Sequence, residues 1–315
     1  MRNCAPKSSV NKTFVTTALF VALAGCTSNP MTGRTQLSLV SEKQVMAQSS
    51  SAYVQELAPW RKKGKVNNDP HVKARIDIIT NRLVTQAIRY RPDSAQWDWQ
   101  VTVVDDPETL NAYCLPGGRM AIYTGLIDKL HATDDEIAQV MGHEIGHALA
   151  NHGAEKMSNS IAANGLVTVI AAASGRNSNA VMSAGSAVTQ MGWLLPNSRG
   201  AESEADRIGI ELAARAGYEP SAAISLWQKM LTASGKGPPQ FLSTHPAPDT
   251  RIKELSALAP HMQPLFASAS RSPVDAPSRM ADNVRDVTPG AAAPQQKALT
   301  LLPITNKNGS STPAQ

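Results

Sequence analysis

Aromatic residues make up only 4% of the 315-residue chain. The interior must therefore be packed from Ala, Leu, Ile, Val and Met, which dominate an apolar content of 42%. That length allows one large domain, or two ordinary ones, with tails. No apolar run reaches the roughly 20 residues that a transmembrane helix needs. Charge of one sign is not in excess either. The formal net charge is +5, but residues 1–25 contribute Arg2, Lys7 and Lys12 and no acid, which leaves +2 for the rest. No basic stripe interleaved with aromatics and no nucleic-acid motif is visible, so no nucleic-acid partner is expected. The run Arg61-Lys62-Lys63-Gly64-Lys65 reads as a solvated loop. No solenoid repeat is visible.

Cysteine is scarce as well, with Cys4, Cys26 and Cys114 in the whole chain. A basic segment from Arg2 to Lys12 precedes an apolar run from Phe14 to Ala24, the pattern of an export signal. The run ends in Leu23-Ala24-Gly25-Cys26, which resembles the bacterial lipobox. The plain alternative is an ordinary cleaved signal that ends near a Cys. The lipobox reading makes 1–25 a signal peptide, Cys26 the lipidation site and 26–39 a tether. Thr27, rather than Asp, follows the Cys; by analogy with lipoprotein sorting this implies a periplasmic protein lipid-anchored to the outer membrane. Acyl chains anchor without spanning. Cys4 then leaves with the signal, and Cys114 remains as the single thiol, so no intrachain disulfide is available. A small, buried apolar role is expected for it.

Apolar spacing predicts helices over 41–58 and 70–89, with Ile76, Ile79, Leu83, Val84 and Ile88 as the stripe of the second. Alternation from Trp97 to Val104 predicts a half-buried strand. Two β-prone runs flank Pro116-Gly117-Gly118, which predicts a strand, a turn and a second strand in a small antiparallel sheet. Thr133-Asp134-Asp135-Glu136 has capping-box form and opens a helix to about Asn151. Residues 157–192, rich in Ala, Gly, Ser and Val, read as a packed helical hairpin or a flap. Further helices are expected over 199–216, 220–233 and 248–258. From Ala267 onward there are six prolines and no aromatic residue. Such a segment buries too little apolar surface to offset its ordering entropy, so 266–315 reads as a disordered tail.

His143-Glu144-Ile145-Gly146-His147 is the H-E-x-x-H pattern. On a helix, i and i+4 share a face, so both imidazoles can reach one metal ion. Glu144 is offset along the helix and faces a water instead. Val140, Met141, Ile145, Ala148 and Leu149 supply the packing surface of a buried helix. A hydrolytic zinc needs a third protein ligand and an open position. The metzincin extension fails, because positions 150 and 153 are Ala and Gly, and His152 is one residue short and off the ligand face. Ser198-Arg199-Gly200-Ala201-Glu202-Ser203-Glu204-Ala205-Asp206 offers the alternative. Glu202 and Asp206 share a helical face, so Glu202 can bind metal while Asp206 orients a ligand histidine from behind. Glu204 reads as a surface acid. His71, His131, His152 and His261 have no supporting pattern.

These motifs resemble the gluzincin family that holds CAAX prenyl proteases, HtpX-like quality-control proteases and OMA-type proteases. Asn111-Ala112-Tyr113-Cys114-Leu115-Pro116-Gly117-Gly118 is similar to that family's Asn-Ala-Phe-Ala-Leu-Pro-Gly-Gly segment, with Cys114 where Ala is common. Ser243-Thr244-His245-Pro246 with Arg251 matches its Ser-Thr-His-Pro element. The lipobox points to the periplasmic lipoprotein branch. The resemblance implies an α+β, mostly helical, zincin-like single catalytic domain over 40–265. It also implies one Zn2+ per chain and endopeptidase activity on misfolded or misassembled envelope proteins, with outer-membrane assembly machinery as a further partner. His143, His147 and Glu202 are the expected metal ligands and Glu144 the general base. Asn111, Ala112 and Tyr113 are expected on a strand whose edge receives extended substrate. His245 is expected as an oxyanion donor, a gate over the metal's open position, or a turn cap; Arg251 as a structural ion-pair partner. The alternative function is an outer-membrane assembly factor or chaperone with repressed protease activity.

Overall fold

A computed structural model describes residues 25–173, 196–233, 240–245 and 248–270. Residues 1–24 of the expected signal peptide, the second half of the 157–192 segment, Pro246 and residues 271–315 lie outside the described residues. The strands are β1 (Cys26–Ser28), β2 (Thr35–Leu37), β3 (Gln100–Val104), β4 (Ala112–Leu115) and β5 (Arg119–Tyr123). The helices are α1 (Glu42–Lys62), α2 (Pro70–Tyr90), α3 (Thr124–Lys129), α4 (Asp134–Leu149), α5 (His152–Ala173), α6 (Arg199–Arg215), α7 (Ala222–Ala233), α8 (Gln240–Thr244) and α9 (Pro248–Ser270). A 3-10 turn over Pro92–Gln96 leads into β3.

Helix α4 runs through the middle of the molecule. Thr133 Oγ1 accepts from the Glu136 backbone while the Glu136 carboxylate accepts from the Thr133 backbone, the reciprocal cap expected for its start. From Glu136 to Leu149 every residue is buried, because α2, α6, α7 and β4 all pack on this helix. The tightest contact is with α6. A methyl group on Gly209 would sit 2.6 Å from the His143 nitrogen, and one on Gly142 would sit 2.9 Å from the Gly209 oxygen. The two backbones touch there, which brings the side chains on their facing edges into one small volume.

The sheet is sandwiched between helices, and its period of two decides which side chain meets which layer. Val101, Val103, Ala112, Cys114, Met120 and Ile122 join the main core with α2 and α4. Val104, Ala121 and Tyr123 turn the other way and pack with Tyr53 and Leu57 of α1. The β4–β5 hairpin is antiparallel as expected, its turn built on Gly117 and Gly118 at φ 92° and 88°. β3, however, pairs with β5 in parallel, so the sheet is mixed and its order is β3-β5-β4. The loop after β3 carries the chain past the place that β5 later fills. That insertion leaves β4 at the sheet's edge, beside α4.

Residues 26–37, read as part of a tether, instead form an antiparallel hairpin docked on the domain. Arg34 bridges Glu155 of α5 and Glu204 of α6 at 2.7 and 2.8 Å, and Gln36 donates to the Ala150 carbonyl at 2.9 Å. Of the basic run, Arg61 and Lys62 form the last turn of α1, Lys63 caps it, and Gly64 and Lys65 continue outside the helix as the loop reading expects. Helix α9 also outruns its expectation, passing Pro260 and Pro264 to end at Ser270. Each proline removes a backbone donor and normally breaks a helix. Burial of Met262 and the partial burial of Leu265 and Phe266 against the core compensate. Residues 266–270, read as the start of a tail, are therefore helical.

Candidate metal centre

Where α4 crosses α6, a few polar groups converge inside the apolar core. His143 and His147 project from α4 with their Nε2 atoms 3.0 Å apart. Ser198 caps α6 by accepting from the Ala201 nitrogen, which starts the helix so that Glu202 falls in its first turn, facing α4. Glu202 places Oε2 3.5 Å from His143 Nε2 and Oε1 3.3 Å from His147 Nε2. His245 follows α8, and its ring stacks on Phe241 at a centroid distance of 4.3 Å. Its Nδ1 reaches 3.2 Å from His143 Nε2 and 3.0 Å from Glu202 Oε1. His143, His147, Glu202 and His245 are all buried, and one ligand atom from each lies within 4.8 Å of the others.

Behind the cluster, Asp206 Oδ1 lies 2.9 Å from His143 Nδ1, the orienting contact expected of it. Arg251 contacts both acids: its guanidinium is 2.6 Å from Glu202 Oε2 and bonds Asp206 through two nitrogens. Asn197 donates to Glu202 Oε1 at 2.7 Å. Two residues set aside on sequence grounds also belong here. His152 Nδ1 lies 2.8 Å from His147 Nδ1, and Glu204 Oε2 lies 3.1 Å from His152 Nε2. No helical spacing could reveal this, since i+5 leaves the shared face. The contact exists because α4 stops at Leu149 and Asn151, at φ 56°, turns the chain back into α5.

Burial and the nearby charges act in opposite directions. Burial and Arg251 push the His143 pKa down, but the Asp206 and Glu202 contacts outweigh them and raise it to about 9. Burial drives His147 well below its ordinary value. Burial raises Glu202, but the neighbouring His245, His143 and His147 overcome this and hold the carboxyl far below its usual range. Glu144 goes the other way, raised chiefly by burial. Its Oε1 makes no hydrogen bond among the described residues and lies 3.4 Å from His245 Nε2. A cleft of about 140 Å³ opens beside it, lined by Asn111, Tyr113, Glu144, His147 and Lys156 among others. Asn111, Ala112 and Tyr113 thus lie along the cleft on and beside the edge strand β4. Cys114 is buried, and burial followed by the Glu144 charge pushes its thiol well above the ordinary value. Cys26 stands exposed at the start of β1.

The donor set suits zinc. Ligand atoms about 2.0–2.1 Å from a tetrahedral zinc stand about 3.3–3.4 Å from one another. The separations of 3.0, 3.2, 3.3 and 3.5 Å among these imidazole and carboxylate atoms bracket that spacing. A family model, that of peptidase family M48, matches residues 70–259, which include every one of these ligands. The chain belongs to peptidase family M48. Peptidases of family M48 use zinc, and the His, His, Glu and His donors here are of the right kind to hold it. Among its relatives, mitochondrial metalloendopeptidase OMA1 of Schizosaccharomyces pombe is 36% identical over 52% of this chain and 48% of its own. The human mitochondrial metalloendopeptidase OMA1 is 31% identical over 74% of this chain and 45% of its own. The beta-barrel assembly-enhancing protease of Escherichia coli is 28% identical over 71% and 45%. The chain spans about half the length of these M48 relatives.

Proposed function

We propose that this protein is a zinc-dependent endopeptidase that cleaves misfolded or misassembled envelope proteins from a lipid anchor at Cys26, on the periplasmic side of the outer membrane. One observation carries the catalytic part. A buried carboxylate with an unbonded oxygen, Glu144, stands between a metal-ligand cluster and a cleft bordered by a sheet edge. Zinc, when bound by His143, His147 and Glu202, supplies the Lewis acidity that polarises a scissile carbonyl and acidifies water. Glu144 takes the proton of the attacking water and returns it to the leaving nitrogen. Asp206 holds His143 through its Nδ1, and Arg251 keeps the two carboxylates together against burial. The edge of β4 receives an extended substrate through main-chain hydrogen bonds, which impose little sequence preference and suit unfolded chains. His245 stands at the cluster's fourth corner as a gate, and its ring must leave for a substrate carbonyl to approach.

The envelope substrate is supported by the export-signal pattern ahead of Cys26 and by the name of the E. coli relative, which concerns β-barrel assembly. No observation favours the assembly-factor reading on its own. The test uses the mature chain with Cys26→Ser and an unfolded protein substrate. Glu144→Gln should abolish cleavage, a loss of at least about 100-fold for a missing general base, while zinc stays at one per chain. Loss of zinc together with activity would make Glu144 a structural residue. Cleavage undiminished in the variant would overturn its role as the base.

A further inference from the structure

The two histidines of the H-E-x-x-H helix are oriented by different means. His143 meets a carboxylate directly, Asp206 at 2.9 Å. Behind His147 stands an imidazole instead, and a carboxylate only behind that. The series runs from His147 Nδ1 to His152 Nδ1 at 2.8 Å and from His152 Nε2 to Glu204 Oε2 at 3.1 Å. Glu204 is anchored in turn by the N-terminal hairpin. Thr32 Oγ1 donates to its Oε1 at 2.6 Å and Arg34 Nε to its Oε2 at 2.9 Å. Arg34 also donates to both oxygens of Glu155, in the first turn of α5. His152 is 3% exposed, so water does not compete for its ring.

With His152 neutral, its ring carrying a single proton, the proton positions follow by elimination. An ionised carboxylate only accepts, so His152 carries its proton on Nε2 and gives it to Glu204. His152 Nδ1 is then a bare lone pair. The short contact between the two Nδ1 atoms needs one proton, which must sit on His147. His147 is thereby left with a bare Nε2, the atom 3.3 Å from Glu202 in the ligand cluster. Fixing a ligand imidazole's tautomer from behind is what outer partners of metal histidines do.

We propose that Arg34, Glu204 and His152 form a positioning relay that holds His147 as its Nδ1–H tautomer, and that the β1–β2 hairpin is thereby a working part of the metal centre. The proposal rests on the zinc-peptidase reading. Its consequence is mechanical: the hairpin begins at Cys26, so a displacement of that end of the molecule is felt at a metal ligand. None of the three is a catalytic residue. They act through His147.

The test uses the full mature chain. Zinc affinity is measured by competition with a chromophoric chelator, and the imidazole nitrogens of His147 are followed by 15N NMR in the metal-free protein. His152→Leu should weaken zinc binding about 10–100-fold. His152→Gln, which retains an acceptor and a donor, should restore most of it. Arg34→Met, a change at a half-exposed side chain, should weaken zinc binding less than His152→Leu but measurably. The wild-type spectrum should show a protonated Nδ1 and a bare Nε2, with both tautomers appearing in Arg34→Met. Zinc affinity unchanged in Arg34→Met and in a folded His152→Leu would overturn the relay. If His152→Leu does not fold, Arg34→Met and the tautomer spectrum decide. A wild type that binds no zinc would refute the metal reading itself, while the metal-free spectrum would still judge the tautomer.

Discussion

His245 is held from two sides, by the Phe241 ring stacked against it and by the Glu202 carboxylate at its Nδ1. Of the three roles open to a histidine in that sequence element, the gate and the oxyanion donor separate in one measurement. If the ring blocks the fourth corner, the competent form is a minor population, and freeing it raises activity by the inverse of that fraction. His245→Ala should then raise kcat/KM on an unfolded substrate by about an order of magnitude for a site that is one-tenth open, while zinc is retained less well. An oxyanion donor would behave in the opposite way, with activity lost and zinc kept. At this scale the H-E-x-x-H residues, Glu202 and Asp206 were legible, because helical spacing alone places each pair on a face. His152 and Glu204 were not. Their contacts depend on a left-handed Asn151 and on the docking of Arg34, neither of which leaves a periodic trace.

Between elements, the α4–α6 crossing decides whether a site exists at all. Gly142 and Gly209 let the backbones touch, and the metal ligands stand on the facing edges of the two helices. Gly209→Ala would drive a methyl group into the His143 backbone, which cannot rotate away. Overpacking of this kind costs about 1–3 kcal/mol. The same displacement should carry Glu202 away from the histidines, so zinc affinity should fall with the melting temperature. A variant that melts lower but binds zinc as the wild type does would show that the helices separate elsewhere. The elements themselves were largely readable. The Thr133 and Ser198 caps begin α4 and α6 where the sequence pattern puts them. The pairing of β3 with β5 was hidden, since alternation tells which face a strand buries and not which neighbour it takes. The run of α9 through Pro260 and Pro264 was hidden too, because its compensation lies in the core it covers.

Across the molecule, α7 is fastened to the start of α4 by Glu136. Lys229 Nζ donates to its Oε2 at 2.7 Å and Ser225 Oγ to its Oε1 at 2.6 Å. Burial would raise this carboxyl, but these bonds and the Thr133 backbone outweigh it and hold the pKa below the ordinary value. The unfolded chain therefore binds this proton more readily than the folded one. The stabilisation is complete above the ordinary glutamate range and is lost as pH falls through the lower folded value. Lys229→Met should reduce stability at neutral pH and move the acid unfolding midpoint upward, as read by urea unfolding across the acid range. An unmoved midpoint would mean that the Lys229 contact does not set this acid limb.

The linear sequence by itself pointed to the metal chemistry: the spacing of His143, Glu144 and His147 is a local property of one helix, and the need for a third ligand then singled out Glu202, with Asp206 on its face. It also determined the helices whose caps and apolar stripes are local. Tertiary structure alone decided what closes the cluster, what stands behind His147, and which strand lies at the sheet's edge. Each of these depends on contacts between residues far apart in the chain, such as Glu202 with His245 and Arg34 with Glu204, whose partners no local period encodes.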